Sequence, residues 1–116
     1  MRTFHDAVIV RFTALKNRIV IDINEVSNYD ESESSRETGK LIVEGVSCFM
    51  ENHKQVDAPT FSFDDGQILD LEIDDRSLKL LVEWENYSLR STDVAEYEIR
   101  GESVQWVPEA ATSTSG

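Results

Sequence analysis

The sequence has few cysteines, few basic residues and no long apolar run, and each shortage excludes a class of protein. Its 116 residues include one cysteine, Cys48, so no disulfide can form within the chain. Small extracellular domains usually depend on disulfides, and we therefore expect a cytoplasmic protein. No apolar run approaches the roughly 20 residues that a membrane-spanning helix needs, and the first residues lack the pattern of a secretory signal.

The shortage of basic residues bears on the partners of the protein. The chain has 11 Lys and Arg against 23 Asp and Glu, which gives a formal charge of −12. Binding to nucleic acid or to an anionic membrane needs a basic surface, so we expect no partner of either kind. Hydrophobic residues make up 40% of the chain, which is enough for a core. A single β domain over residues 1–107 is the expectation.

Motifs of cofactor binding and catalysis are also missing. The sequence has no glycine-rich phosphate loop, no paired-cysteine motif and no HExxH motif. With two histidines and one cysteine, a zinc site would need unusual carboxylate ligands. The adjacent His5 and Asp6 are interpreted as residues that enter the first strand, and Cys48 as a small buried hydrophobe. We predict no enzyme activity, no catalytic residue and no cofactor.

The pattern that is present has a period of two, which is typical of half-buried strands in antiparallel sheets. It predicts an all-β fold, either an antiparallel β-sandwich or a small open barrel of six to seven strands. At most one short helix is expected, near Phe49–Gln55. The predicted inward rows are Ile19, Ile21 and Ile23; Leu78, Leu80, Val82 and Trp84; Leu69, Leu71 and Ile73; and Val8, Val10 and Phe12.

Polar segments between these rows predict the turns and the loose parts of the chain. Tight turns are expected at Leu15–Arg18 and at Asp74–Ser77. Residues 27–38 are polar and acidic and predict a flexible loop, while 108–116 predict a disordered C-terminal tail. In the last apolar segment the parity of the row changes at Gly101, which predicts a bulge or kink there.

Acidic residues are concentrated between Asp64 and Asp75, where six acids occur without a base. The spacing is not that of an EF-hand loop, so the sequence indicates either a solvated strand face or a docking surface for a basic protein. The predicted partner-binding residues are Asp64, Asp65, Asp70, Glu72 and Asp74.

Aromatic residues near the C-terminus support a second hypothesis. Trp84, Tyr97 and Trp106 belong to the last predicted strands. They are interpreted as core residues or, alternatively, as the lining of a pocket for a small ligand.

Three short motifs carry a resemblance to a known class of proteins. The chain opens with Phe4-His5-Asp6-Ala7 followed by Ile9, continues with Asp65-Gly66-Gln67-Ile68-Leu69, and closes with Glu102-Ser103-Val104-Gln105-Trp106. This resembles small bacterial all-β proteins, some of which are grouped with immunity proteins of polymorphic toxin systems. The resemblance spans residues 4–106 and implies a β fold and a non-enzymatic role.

These observations give two main functional hypotheses, beside a third, which is a metalloprotein or hydrolase built on His5, Asp6 and the acidic turn. The first is a non-enzymatic acidic domain that binds a basic protein, with immunity-like neutralisation of a toxin as one version. The second is a small-ligand-binding β domain with an aromatic pocket. The sequence leaves the oligomeric state open, and a homodimer through a sheet edge or an aromatic patch is compatible with either hypothesis.

Overall fold

Ten β-strands build the described part of the chain, which is residues 2–29, 34–60 and 65–109 of a computed structural model. In chain order they are β1 (Arg2–Thr3), β2 (Val8–Ala14), β3 (Arg18–Tyr29), β4 (Ser34–Glu44), β5 (Cys48–Glu51), β6 (Lys54–Gln55), β7 (Asp65–Ile73), β8 (Ser77–Asn86), β9 (Ser91–Arg100) and β10 (Ser103–Pro108). They form one antiparallel sheet in the order β10-β4-β3-β2-β7-β8-β9-β5-β6, with β1 also paired to β3. The predicted all-β antiparallel fold is confirmed. The described residues contain no helix, and so none that could cross a membrane.

The sheet curls until distant strands touch. Phe12 on β2 and Tyr97 on β9 lie three strands apart in the sheet order, yet their ring centroids are 5.0 Å apart. In a flat sheet three strand spacings would separate them by about 14 Å. The described strands therefore form one curled sheet that does not close, and its concave side holds the core.

Two of the four predicted inward rows are correct throughout. Ile19, Ile21 and Ile23 are buried on β3, and the row from Leu78 to Trp84 is buried on β8. These β-branched and large apolar side chains meet across the curled sheet and exclude water from its concave face. The other buried hydrophobic residues are Ala7, Ile9, Val26, Leu41, Val43, Phe49, Ile68, Ala95, Tyr97 and Ile99.

Bulges alter the other two rows. On β2 the register shifts between Ile9 and Arg11, so Ile9 is buried whereas the predicted inward residue Val10 is 51% exposed. On β7 the shift between Ile68 and Asp70 buries Ile68 and leaves Leu69 only half-buried. A bulge adds one residue and so exchanges the two faces of a strand, which a strict period of two does not anticipate.

The number of strands was underestimated for two physical reasons. β1 and β6 have two residues each, too few to leave an alternation in the sequence. The bulge predicted at Gly101 is instead a complete change of neighbour: β9 ends at Arg100 against β8 and β5, and β10 begins at Ser103 against β4. Gly101 donates its N–H to the Arg76 carbonyl at 2.9 Å within this connection.

Both predicted hairpin turns are confirmed, and the predicted helix is wrong. Leu15 donates to Arg18 at 2.7 Å, and Asp74 donates to Ser77 at 2.9 Å. In place of a helix at Phe49–Gln55, β5 and β6 form a hairpin around Asn52 and His53, whose φ angles are 53° and 68°. Two positive φ angles define a type I′ turn, and histidine at the usual glycine position concealed that turn in the sequence.

The predicted flexible loop at 27–38 is largely paired strand. Residues 27–29 of β3 pair with 34–36 of β4, and 30–33 lie outside the described residues. A polar composition does not prevent a ladder of backbone hydrogen bonds when neighbouring strands supply the partners. The start of the predicted tail is also ordered: Pro108 ends β10, and Glu109 donates to the Thr38 carbonyl at 2.7 Å. Residues 110–116 lie outside the described part.

An indole ring lies in close contact with a glycine on the neighbouring strand. Gly66 on β7 lies directly opposite Trp84 on β8. A Cβ atom placed on Gly66 would lie 2.5 Å from the Cζ3 atom of Trp84. Only glycine lets the indole lie flat on the neighbouring backbone at this point.

Replacing Gly66 by alanine should therefore destabilise the protein. For Gly66→Ala we expect a loss of about 1–3 kcal/mol in the free energy of unfolding, because the methyl group overpacks the Trp84 contact. Urea denaturation measures this loss. The loss caused by Gly66→Ala should be smaller in a Trp84→Phe background, because phenylalanine lacks the outer benzo ring of the indole, which contacts Gly66. An equal cost in both backgrounds would show that the indole contact is not its cause.

Candidate functional site

The convex face of β7, β8 and β9 is strongly acidic. Residues whose side chains alternate with the buried row on these strands point away from the core. Seven of them carry a carboxylate: Asp65, Asp70 and Glu72 on β7, Glu83 and Glu85 on β8, and Glu96 and Glu98 on β9. We call this set the acidic face.

The register of the three strands brings these carboxylates close to one another. Asp65 lies directly opposite Glu85, and like charges in directly opposed positions destabilise a sheet. At the other end, Lys79 lies between Glu72 and Glu98 and compensates part of the charge. The repulsion is therefore strongest at the Asp65–Glu85 end, where a cationic group from outside would relieve it.

A groove of about 300 Å³ lies at this same end. It is lined by Asp6, Val8, Glu25, Asp65, Gln67, Glu85 and Tyr87. Asp6 and Glu25 reach it from left-handed backbone positions, with φ angles of 70° and 62°. Such conformations are uncommon for residues other than glycine, and here they turn two further carboxylates toward the acidic face.

Hydrogen bonds hold several groove side chains in place. Gln67 donates from Nε2 to Asp6 Oδ1 at 2.7 Å, and the Tyr87 hydroxyl donates to Asp65. Arg36 pairs with Glu25 at 2.8 Å. The described residues include no group of three or more His, Cys, Asp or Glu placed to hold a metal ion.

The five predicted partner-binding residues fall into three groups. Asp70 and Glu72 lie exposed on the acidic face, and Asp65 lies at its groove end. Asp64 lies outside the described residues. Asp74 belongs to the turn between β7 and β8, where its own carboxylate is engaged.

The Asp74 carboxylate organises that turn. Its Oδ1 accepts the backbone N–H groups of Arg76 at 2.9 Å and Ser77 at 2.8 Å, and its Oδ2 accepts the Ser77 hydroxyl at 2.8 Å. These bonds, the one from the Arg76 N–H above all, lower the pKa of Asp74 below its ordinary value of 3.8. Asp74 therefore has a structural part in the hairpin, and we do not count it in the acidic face.

Four carboxylates of the acidic face were not singled out from the sequence: Glu83, Glu85, Glu96 and Glu98. Their signal was the polar parity of two strands that form a hairpin, Ser77–Asn86 and Ser91–Arg100. The acids of β7 are recognisable in the sequence because they belong to one short acidic segment. The acidic face becomes visible only when the three strands are placed side by side.

The three predicted pocket aromatics do not meet in a pocket of the described structure. Trp84 and Tyr97 are 2% and 0% exposed, and the indole Nε1 donates to the Tyr97 hydroxyl at 3.0 Å. Trp106 lies elsewhere, edge-on to Phe4 with ring centroids 5.0 Å apart. Of the two tryptophans predicted to lie in the core, Trp84 is buried there, whereas Trp106 is only partly buried and packs against its margin; Tyr97 is buried as well.

A buried carboxylate completes this aromatic contact. Glu51 is 3% exposed and accepts the Thr60 N–H, at 2.9 Å to its nearer oxygen, together with the Thr60 hydroxyl. It also accepts the Tyr97 hydroxyl. Burial raises the pKa of Tyr97, and the Glu51 carboxylate raises it further, so the phenol stays protonated as a donor. The enclosed Glu51 thus links Thr60 to Tyr97 on β9.

His5 and Cys48 lie in separate places near the protein surface. His5 Nδ1 lies 3.1 Å from Asp6 Oδ2, although adjacent residues on an extended strand would point apart. The left-handed Asp6 brings them together, and both side chains are well exposed. Cys48 is a half-buried free cysteine on β5. Cys48 is therefore less buried than predicted, because it lies at the margin of the core rather than inside it.

Comparison with family models, with curated proteins and with solved structures found no match to this chain.

Asp74 should give the stability of the hairpin a characteristic dependence on pH. Because its pKa is lower in the folded than in the unfolded chain, its contribution is complete above the unfolded pKa. That contribution is lost as the pH falls through the lowered, folded pKa. We expect wild type to exceed Asp74→Asn in stability near neutral pH, and the gap to narrow in acid. Urea denaturation from pH 7 to pH 2 measures the gap, and a gap independent of pH would contradict this account.

The buried hydrogen bonds of Tyr97 should matter far more than those of an exposed tyrosine. Tyr97→Phe removes the acceptor of the Trp84 N–H and a donor to Glu51, so we expect a loss of about 1–3 kcal/mol in the free energy of unfolding. Tyr87→Phe is the matched control: Tyr87 is 59% exposed, and we expect a change within about 0.5 kcal/mol. Equal effects of the two substitutions on urea denaturation would count against the buried network.

Proposed function

We propose that the chain is a non-enzymatic binding domain that recognises a basic protein through the acidic face. The observation that carries the proposal is the concentration of seven carboxylates on the convex side of three paired strands. A surface of one sign steers an oppositely charged partner and speeds encounter.

Two further features support a partner at the groove end of this face. The Asp65–Glu85 opposition is a cost within the free protein, and a cation bound between these carboxylates would offset it. The groove beside them also carries Val8 and the 59% exposed Tyr87, which offer apolar and aromatic contact area. Tyrosine is enriched at protein interfaces for this combination of properties.

Immunity-like neutralisation is one specific form of this function. A domain of this kind would cover the basic nucleic-acid-binding or active surface of a toxin, and the acidic face has the charge for that task. The hypothesis of a small-ligand pocket gains no support from the positions of Trp84, Tyr97 and Trp106. Binding of a basic protein is therefore the function that the acidic face supports best.

The proposal predicts binding that depends on salt and on the position of the charge. With a small, strongly basic model protein as the probe, we expect the association rate constant to fall steeply as ionic strength rises. The double variant Glu83→Gln/Glu85→Gln should reduce the rate constant at low salt by roughly threefold or more. Stopped-flow fluorescence measures these rates.

A matched control separates the acidic face from the overall charge. Glu102→Gln/Glu109→Gln removes the same number of charges from exposed positions outside β7, β8 and β9, and should change the rate much less. Equal effects of the two double variants would show that net charge alone acts. A rate that is insensitive to salt would rule out the electrostatic proposal.

A further inference from the structure

One edge of the sheet is only half covered. β5 pairs with the C-terminal part of β9, from Tyr97 to Arg100. The hairpin then turns away, and Asn52 exchanges two hydrogen bonds with Glu96, at 2.7 and 2.8 Å. Beyond that point no strand of the described residues pairs with 91–95 on the side away from β8, and residues 91–94 are exposed.

The two hydrogen bonds between Asn52 and Glu96 show which backbone groups of β9 face the side away from β8, which is open at residues 91–95. The N–H and C=O of Glu96 both point to Asn52 and hence away from β8. In an antiparallel sheet the direction of these groups alternates along the strand. The N–H and C=O groups of Val94 and Thr92 therefore point to the open side as well. They give four backbone groups in the spacing that an added antiparallel strand would use.

A second copy of this chain fits the open edge poorly. Antiparallel self-pairing that uses both Thr92 and Val94 would centre on Asp93 and place it opposite the Asp93 of the other copy. Directly opposed like charges are unfavourable, and each copy brings a formal charge of −12.

A basic strand fits the same edge well. In the register of β8 and β9, Thr92 lies opposite Glu85 and Val94 lies opposite Glu83. A strand added beside β9 would lie about 10 Å from β8. The short side chains of Thr92 and Val94 leave room for a lysine or arginine on the added strand to extend over them toward Glu85 and Glu83.

We propose that residues 91–95 accept an extended segment of the partner by strand addition, with lysine or arginine at alternate positions. Backbone hydrogen bonds to Thr92 and Val94 would supply affinity, and the acidic face would select the basic side chains. This inference rests on the proposed function and specifies how its partner is held.

Titration of the full chain with a peptide tests the inference by NMR. The probe is an eight-residue peptide that alternates lysine with threonine. Its control is the same peptide with N-methyl groups on those alternate backbone amides that would face β9. We expect the peptide to slow hydrogen exchange at the Thr92 and Val94 amides more than at Asp93 and Ala95. The N-methylated peptide cannot pair with β9, so its affinity should be lower by about tenfold or more although its charge is the same.

A substitution in the protein gives a second measurement. Val94→Pro removes an N–H that faces the open side and leaves the hydrogen bonds to β8 in place. It should weaken peptide binding by about tenfold, whereas Val94→Ala keeps the N–H and should bind nearly as wild type does. If Val94→Pro does not fold, the hydrogen-exchange pattern of wild type and the affinity of the N-methylated peptide still test strand addition.

The remaining outcomes separate this inference from the proposed function. Binding that is lost in Glu83→Gln/Glu85→Gln but unchanged in Val94→Pro, with no protection at Thr92 and Val94, would overturn strand addition and leave the proposed function standing. Peptide binding that is equally tight in wild type and in Glu83→Gln/Glu85→Gln, and insensitive to salt, would overturn both strand addition and the proposed function. Protection at these amides that grows with protein concentration and needs no peptide would assign the edge to a second copy and overturn the inference.

Discussion

A single sheet can bury its apolar face only by folding onto itself, and the architecture of this protein depends on that constraint. The described residues provide no helix and no second sheet to cover the core. Curvature is therefore needed, and bulges in β2, β3 and β7 provide it. The contact of Trp84 with Gly66 lets a large ring lie against the inside of the curve.

The same constraint explains both the buried carboxylate and the acidic surface. Large aromatic side chains fill the curve, and their polar ends must find partners inside it. Glu51 accepts the Tyr97 hydroxyl there, and Thr60 donates two hydrogen bonds to the same carboxylate. The concave side otherwise holds apolar side chains, so the carboxylates of β7, β8 and β9 lie on the convex side. Seven of the 23 acidic residues thus share one surface.

The fold was predictable wherever alternation was uninterrupted. The inward rows of β3 and β8 and the turns at Leu15–Arg18 and Asp74–Ser77 followed from residue type and spacing. Bulges were invisible, because one inserted residue at Val10 or Leu69 exchanges the faces without a compositional sign. The polar part of the β3–β4 hairpin was missed because local composition does not show which strand lies alongside.

The candidate site was only partly predictable, for a related reason. Asp70 and Glu72 could be placed on a wet strand face from their own alternation. The acids of β8 and β9 join them only through a register that brings distant parts of the chain together. The contact between His5 and Asp6 was likewise missed, because it depends on the left-handed backbone of Asp6.

A curled sheet that does not close retains edges, and edges invite association with other chains. β10 is short and ends in Pro108, and its Val104 N–H already bonds the Asp75 carbonyl at 3.0 Å. The edge of β9 is closed by Asn52 only as far as Glu96, and beyond it Asp93 discourages pairing with a like copy. Under the proposed function, a negative surface beside an open edge would give specificity, because it would repel acidic strands and attract basic ones. The two sets of charge would then have different parts: Asp93 would oppose pairing with a second copy, and Glu83 and Glu85 of the acidic face would select a basic strand.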